Sequence, residues 1–171
     1  MTYLSKEIDV MAEPGGYYLF NDNLRMWYSE YKNYGANEVT RWLSFYEFEN
    51  GKSTGKRTSH GIRMELGAWV ALLENAPAIN KTMTKNHNPD EDVLSIPLGG
   101  MTKQAEPVYD HGVWSVELRT YLWERGVCKI TSAPMFTHTP TNEGIKLSLA
   151  DWNELVLILP SILALHLALH K

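Results

Sequence analysis

The chain has 171 residues, with 16 Lys and Arg against 20 Asp and Glu and a formal net charge of −4. That length suits one compact domain or two small ones. The acidity excludes a uniformly cationic coat for nucleic acid, so any such binding must come from local distribution. The single cysteine, Cys128, excludes an internal disulfide scaffold.

In chain order, Met1 to Glu13 carry Lys6, Glu7 and Asp9 and lack the apolar core of a signal peptide. Val39 to Phe48 and Val113 to Trp123 are rich in aromatic and β-branched residues and are predicted to be strands. Asn50-Gly51 and Arg125-Gly126 are predicted hairpin turns. Ile62 to Leu66 and Ile145 to Leu149 alternate with period two, as short last strands do. The period then becomes helical at Leu149, Trp152, Leu155, Val156 and Leu159. Ser148 with Asp151 three residues on forms the start of a capping box, whereas Glu65 offers the first helix a poorer cap. That first helix is predicted to end before Pro77, because proline lacks an amide hydrogen and its ring clashes with the preceding turn. The run from Leu155 to Leu169, broken by Pro160, Ser161 and His166, is shorter than the roughly 20 apolar residues a membrane span needs.

The dominant pattern is an internal repeat. Gly61 to Ile79 aligns without a gap on Gly144 to Ile162: Gly61/Gly144, Ile62/Ile145, Arg63/Lys146, Met64/Leu147, Leu66/Leu149, Trp69/Trp152, Leu72/Leu155, Pro77/Pro160 and Ile79/Ile162. A weaker match upstream sets Leu43, Tyr46, Phe48, Glu49 and Gly51 against Leu118, Tyr121, Trp123, Glu124 and Gly126. The pattern predicts an α+β chain of two tandem modules, residues 14–80 and 93–171, joined by a linker at 81–92. Each module is a curved antiparallel sheet of about four strands followed by one helix, the pair packing as an intramolecular pseudo-dimer. Trp69 and Trp152 fall on the buried helical stripe.

These residues resemble the transcriptional positive cofactor four family. The resemblance lies in Phe45 to Gly51, a basic loop from Lys52 to His60, Gly61-Ile62-Arg63-Met64 and Trp69, and again in Tyr121 to Gly126, Gly144 to Leu149 and Trp152. It covers most of each half from the third strand onward. It implies a sheet that binds single-stranded or melted DNA along its exposed side with little sequence preference, and paired helices. Carried over residue by residue, it implies Tyr31 and Lys32 as an aromatic-basic pair, Arg119 as the strand arginine, Phe48 and Trp123 as displaced equivalents of a tryptophan, and Lys52, Lys56 and Arg57 as the basic loop. The second copy has Pro140-Thr141-Asn142-Glu143 in place of that loop.

Charge and aromatic distribution point the same way. Residues 1–85 hold ten basic and ten acidic side chains and thirteen of the nineteen aromatics, whereas residues 86–171 hold six basic and ten acidic. A single strand needs cations for its phosphates and flat faces for its bases. The expected contact set is Tyr31, Lys32, Arg41, Phe48, Lys52, Lys56, Arg57, Arg63, Arg119 and Trp123, with Trp27 and Trp42 as further stacking platforms. The first copy is expected to carry most of the binding.

His166 and His170 stand four apart, but without a third ligand they are better read as solvated helix-end residues than as a metal pair. No phosphate-cradling glycine loop, H-E-x-x-H or G-x-S-x-G pattern is present. The expected function is therefore sequence-tolerant binding of single-stranded DNA in replication, recombination or transcription, without enzymatic activity, cofactor or membrane partner, inside the cell. The alternatives are single-stranded RNA and a cofactor that bridges replication or transcription proteins. The leucine-rich C-terminal helix is expected to pack on the first copy or to build a homo-oligomer interface.

Overall fold

A computed structural model describes residues 12–13, 17–19, 23–33, 35, 38–49, 56–84, 94–98 and 102–169. The strands are β1 (Ala12–Glu13), β2 (Tyr17–Leu19), β3 (Leu24–Asn33), β4 (Glu38–Phe48) and β5 (Arg57–Glu65), followed by helix α1 (Leu66–Met83). Then come β6 (Ile96–Pro97), β7 (Lys103–Asp110), β8 (Val113–Val127) and β9 (Pro134–Ser148), followed by α2 (Leu149–Leu169). All the strands join one antiparallel sheet in the order β1-β2-β3-β4-β5-β9-β8-β7-β6. Seven of them have three or more residues, and the sheet curls into a half-barrel.

The expectation of two tandem four-strand modules packed as a pseudo-dimer is thus overturned. β5 pairs with β9, Gly61 opposite Gly144, and the chain forms a single sheet. The physical reason is the strand edge. An uncovered edge leaves a row of unpaired amides and carbonyls; β5 and β9 each present one, and they meet at the Gly61–Gly144 pair. Beside the pair, the Glu143 carboxylate accepts from the Arg63 backbone N–H at 3.2 Å and from Lys103 Nζ at 3.2 Å, tying β5, β7 and β9 together.

Alternate residues of a strand face opposite sides of a sheet. One side carries Met26 and Tyr28, Leu43 and Phe45, Ile62 and Met64, Ile145 and Leu147, Val116 and Leu118, and Ala105, all buried. The register aligns them in rows, for example Met26, Phe45 and Ile62, or Ala105, Leu118 and Ile145. Both helices cover this side. Trp69 and Trp152 are fully buried, as their helical spacing predicts. Trp69 Nε1 donates to the carbonyls of Leu43 and Met64, both at 3.1 Å. Trp152 Nε1 donates to Asn80 Oδ1 at 2.7 Å, which ties α2 to α1. The His166 ring stacks on Tyr28 with centroids 3.9 Å apart, so the end of α2 packs on the N-terminal half of the sheet.

Two local readings change. α1 continues through Pro77 to Met83 instead of stopping before the proline. Pro77 sits on the solvent side while Ala76 and Ile79 are buried, so packing of the apolar stripe outweighs one lost hydrogen bond. Pro160 occupies the equivalent place in α2. Arg125-Gly126 is not a turn: Gly126 lies within β8 opposite Met135, and the chain reverses at Cys128 to Ala133, where the Cys128 N–H donates to the Ala133 carbonyl at 2.9 Å. The predicted turn at Asn50-Gly51 lies outside the described residues. Ser148 does cap α2, its Oγ accepting from the Asp151 N–H at 3.2 Å, whereas Glu65 makes no side-chain cap.

The Trp152–Asn80 bond crosses between the helices, so it reports their packing. Asn80→Ala should destabilise the fold by about 1–3 kcal/mol, because the buried indole N–H loses its acceptor. The paired change Asn80→Leu with Trp152→Phe should recover most of that loss. Urea denaturation midpoints of the three proteins check this.

Candidate nucleic-acid interface

The side of the sheet away from the helices is assembled by the same alternation. Register places one row straight across six strands: Arg25 of β3, Tyr46 of β4, Gly61 of β5, Gly144 of β9, Arg119 of β8 and Gln104 of β7. A second row holds Trp27, Ser44 and Arg63, and a third Ser29, Trp42 and Glu65. The two glycines at the midline give the row its shape. A Cβ on Gly61 would overlap the Tyr46 ring, and one on Gly144 would come within 2.8 Å of the Arg119 guanidinium carbon. The missing side chains therefore let Tyr46 lie across β5 and Arg119 across β9.

In the N-terminal half three large rings on this face each touch an arginine. The Arg25 guanidinium lies 4.4 Å from the Phe48 ring centroid, Arg57 4.6 Å from Tyr46, and Arg63 4.6 Å from Trp42. Trp27 joins the cluster, 5.6 Å from Tyr46 and 5.9 Å from Phe48. A register shift between Tyr46 and Phe48 brings Arg57 opposite Phe48. Among the described residues, Arg57 and Arg63 have no carboxylate in salt-bridge range. Burial, with the Glu143 carboxylate adding to it, pushes the Tyr46 phenol above its ordinary pKa against the opposing pull of Arg57 and Arg63. Tyr46 is thus a neutral ring at physiological pH, with no charge to repel a phosphate.

The C-terminal half is charge-paired instead. Arg119 Nε donates to Glu117 at 2.8 Å and its Nη1 to the Thr141 carbonyl at 2.8 Å. Lys103 meets Glu143 at 3.2 Å and Lys146 meets Asp110 at 3.7 Å. Tyr121 Oη donates to Glu106 at 3.2 Å; burial and that carboxylate push its pKa up. Beyond Tyr121 the aromatic surface continues along β8 and β9, where His138 is stacked between Tyr121 and Trp123, each at 4.3 Å.

The structure sorts the residues expected from sequence. Phe48, Arg57, Arg63 and Arg119 share the uncovered face, and Trp27 and Trp42 join them. Phe48 is buried under Arg25 rather than open, at 7% exposure. Trp123 lies farther out, beside His138. Arg41 pairs with Glu30 in the register of Leu43 and Phe45, on the helix-covered side. Lys56 is exposed just ahead of β5, Tyr31 and Lys32 lie on β3 opposite Thr40 and Val39, and Lys52 lies outside the described residues. Sequence reasoning missed Arg25 and Tyr46. Their signal was the alternation Arg25, Trp27 and Trp42, Ser44, Tyr46, which marks one face once the pairing is known. Among the described residues no group of three or more His, Cys, Asp or Glu side chains is arranged to hold a metal ion.

No family model, curated protein or solved structure matches the chain.

The glycine floor is testable by itself. Gly61→Ala should displace the Tyr46 ring and cost about 1–3 kcal/mol, the usual range for overpacking. Near-UV circular dichroism should change with it, and combining Gly61→Ala with Tyr46→Ala should remove the clash and restore part of the stability.

Proposed function

We propose that the chain binds single-stranded nucleic acid, with single-stranded DNA as the leading substrate, across the uncovered face of the sheet. The observation that carries this reading is the two exposed guanidinium groups set on aromatic rings at Arg57/Tyr46 and Arg63/Trp42, beside the buried Arg25/Phe48 pair. A single strand offers phosphates and unstacked bases together, and these pairs offer a partner for each. In the free protein the arginines rest on the rings, which holds the planar groups in place at little cost. A phosphate draws a guanidinium off its ring, and the freed ring face takes a base. Gly61 and Gly144 leave room for the Tyr46 ring and the Arg119 guanidinium to lie across the midline, which presents both groups to a strand crossing the sheet.

The resemblance to the positive cofactor four family supports the same reading, since that family binds melted DNA on a curved sheet. The net charge of −4 fits a local patch, because acids in the C-terminal half neutralise Arg119, Lys103 and Lys146 while Arg57 and Arg63 keep their charge toward solvent. A bridging role through protein contacts is the second reading. It rests on the overall acidity and on the outer leucines of α2, Leu157 at 78% exposure among them. By length and composition alone α2 could cross a membrane, but its stripe of Trp152, Leu155, Leu159, Ile162 and Leu163 is buried in the fold.

Tryptophan fluorescence titration with oligothymidylate at low and moderate salt tests the proposal. Affinity should fall with salt and exceed that for duplex DNA. Arg57→Ala with Arg63→Ala should weaken binding and flatten the log–log salt dependence by about 0.7 per lost phosphate contact. Glu117→Gln should strengthen binding by releasing Arg119. Absence of binding at low salt would sink the proposal and leave the bridging role.

A further inference from the structure

Past the body of the sheet, β8 and β9 continue alone as a two-stranded arm. Tyr121 to Val127 pair with Pro134 to Pro140, and only the turn at Cys128 to Ala133 lies beyond. Past Tyr121, whose N–H donates to the Thr102 carbonyl at 2.6 Å, neither strand of this arm pairs with a third strand among the described residues, yet the arm displays large apolar groups to solvent: Ile130 is 93% exposed, Val127 62% and Phe136 61%. Such side chains on an isolated ribbon add nothing to a core, and exposed apolar groups gathered in one place mark contact surfaces.

The two sides of the arm differ in chemistry. Alternation places Tyr121, Trp123, Arg125 and Val127 with Pro134, Phe136, His138 and Pro140 on one side. That side has three aromatic rings, an imidazole and an arginine, and no carboxylate. The acid of the paired strands, Glu124, lies on the other side with Leu122, Gly126, Met135, Thr137 and Thr139. The aromatic side joins the uncovered face of the sheet directly: Tyr121 Oη donates to Glu106, and His138 Nε2 lies 3.2 Å from Gln104 Nε2. The Tyr121–His138–Trp123 column, with interplanar angles of 24° and 26°, is preassembled, so a base added at its outer end meets a surface already ordered.

We propose that the aromatic side of this arm is a second subsite for the same single strand, stacking bases on Phe136 and on the outer end of the Trp123 column while Arg125 takes a phosphate. The inference rests on the reading of the uncovered face as the first subsite. It differs from that reading in assigning the C-terminal half a binding role through stacking, although the body of that half is charge-paired. Seven residues of paired strand at roughly 3.3 Å each extend the path by about 23 Å, so the arm serves long strands and is out of reach of short ones.

The test uses the full chain and oligothymidylates of increasing length, with a fluorophore on Cys128, the only cysteine, and an acceptor dye on one oligonucleotide end. Wild-type affinity should rise with length until the arm is engaged, with energy transfer appearing at the same length. Phe136→Ala and, separately, Arg125→Ala should lower affinity for the long oligonucleotide, by roughly tenfold for the ring, and leave the short one unchanged. Unaltered circular dichroism confirms that each variant is folded. Equal affinity of wild type and both variants for the long oligonucleotide, with short ones still bound, would overturn the arm subsite and leave the sheet reading intact. Failure of every length to bind would overturn both. Self-association in light scattering that Phe136→Ala abolishes, with oligonucleotide affinity untouched, would assign the arm to contact between copies and overturn the proposal.

Discussion

Everything else in this structure depends on the backbone pairing of Gly61 with Gly144. There β5 and β9 close what would otherwise be two strand edges, and two similar stretches of sequence become one curled sheet. The same two residues leave room on the uncovered face for side chains from the neighbouring strands. Tyr46 and Arg119 lean inward over them from either side, one ring and one guanidinium, each occupying space that a Cβ would need. A single sequence feature, a glycine at the same place in each copy, thus serves both the joining of the sheet and the contour of its open side.

The opposite face shows why that open side can stay uncovered. Both helices, with Trp69 and Trp152 fully buried at their starts, cover the apolar side, and the core is continuous from Leu24 to Ile96 across the sheet. Contacts between the halves, Trp152 with Asn80 and His166 with Tyr28, knit the helices across the midline. Burial of this one apolar side supplies the driving force for folding. The other side is left to polar and aromatic groups whose placement follows from strand alternation, and its asymmetry follows from where carboxylates fall. Glu117, Glu143 and Asp110 answer the C-terminal cations, and among the described residues no carboxylate forms a salt bridge with Arg57 or Arg63.

Much of this was legible in the residues. The change from period two to helical period, the Ser148 cap and the buried tryptophans are local patterns, and each is realised. The joining of the halves was not legible, because edge pairing uses amides and carbonyls that every residue carries. The path of α1 through Pro77 was misread because the local penalty of a proline is visible in sequence and the buried stripe that offsets it is not. The face of a strand residue depends on register, so Arg41 read as a contact while Arg25 and Tyr46 did not. The register shift at Phe48 and the extension of β8 through Gly126 are likewise set by the partner strand rather than by local propensity.

The most direct measurement of the central claim is photocrosslinking of an oligothymidylate carrying a photoreactive thymidine analogue, followed by peptide mapping. Adducts should concentrate on β3 and β4 at Trp27, Trp42 and Tyr46, with the helices unmodified. Adducts on α1 or α2, with none on those three residues, would contradict the assignment of the uncovered face as the strand-binding surface.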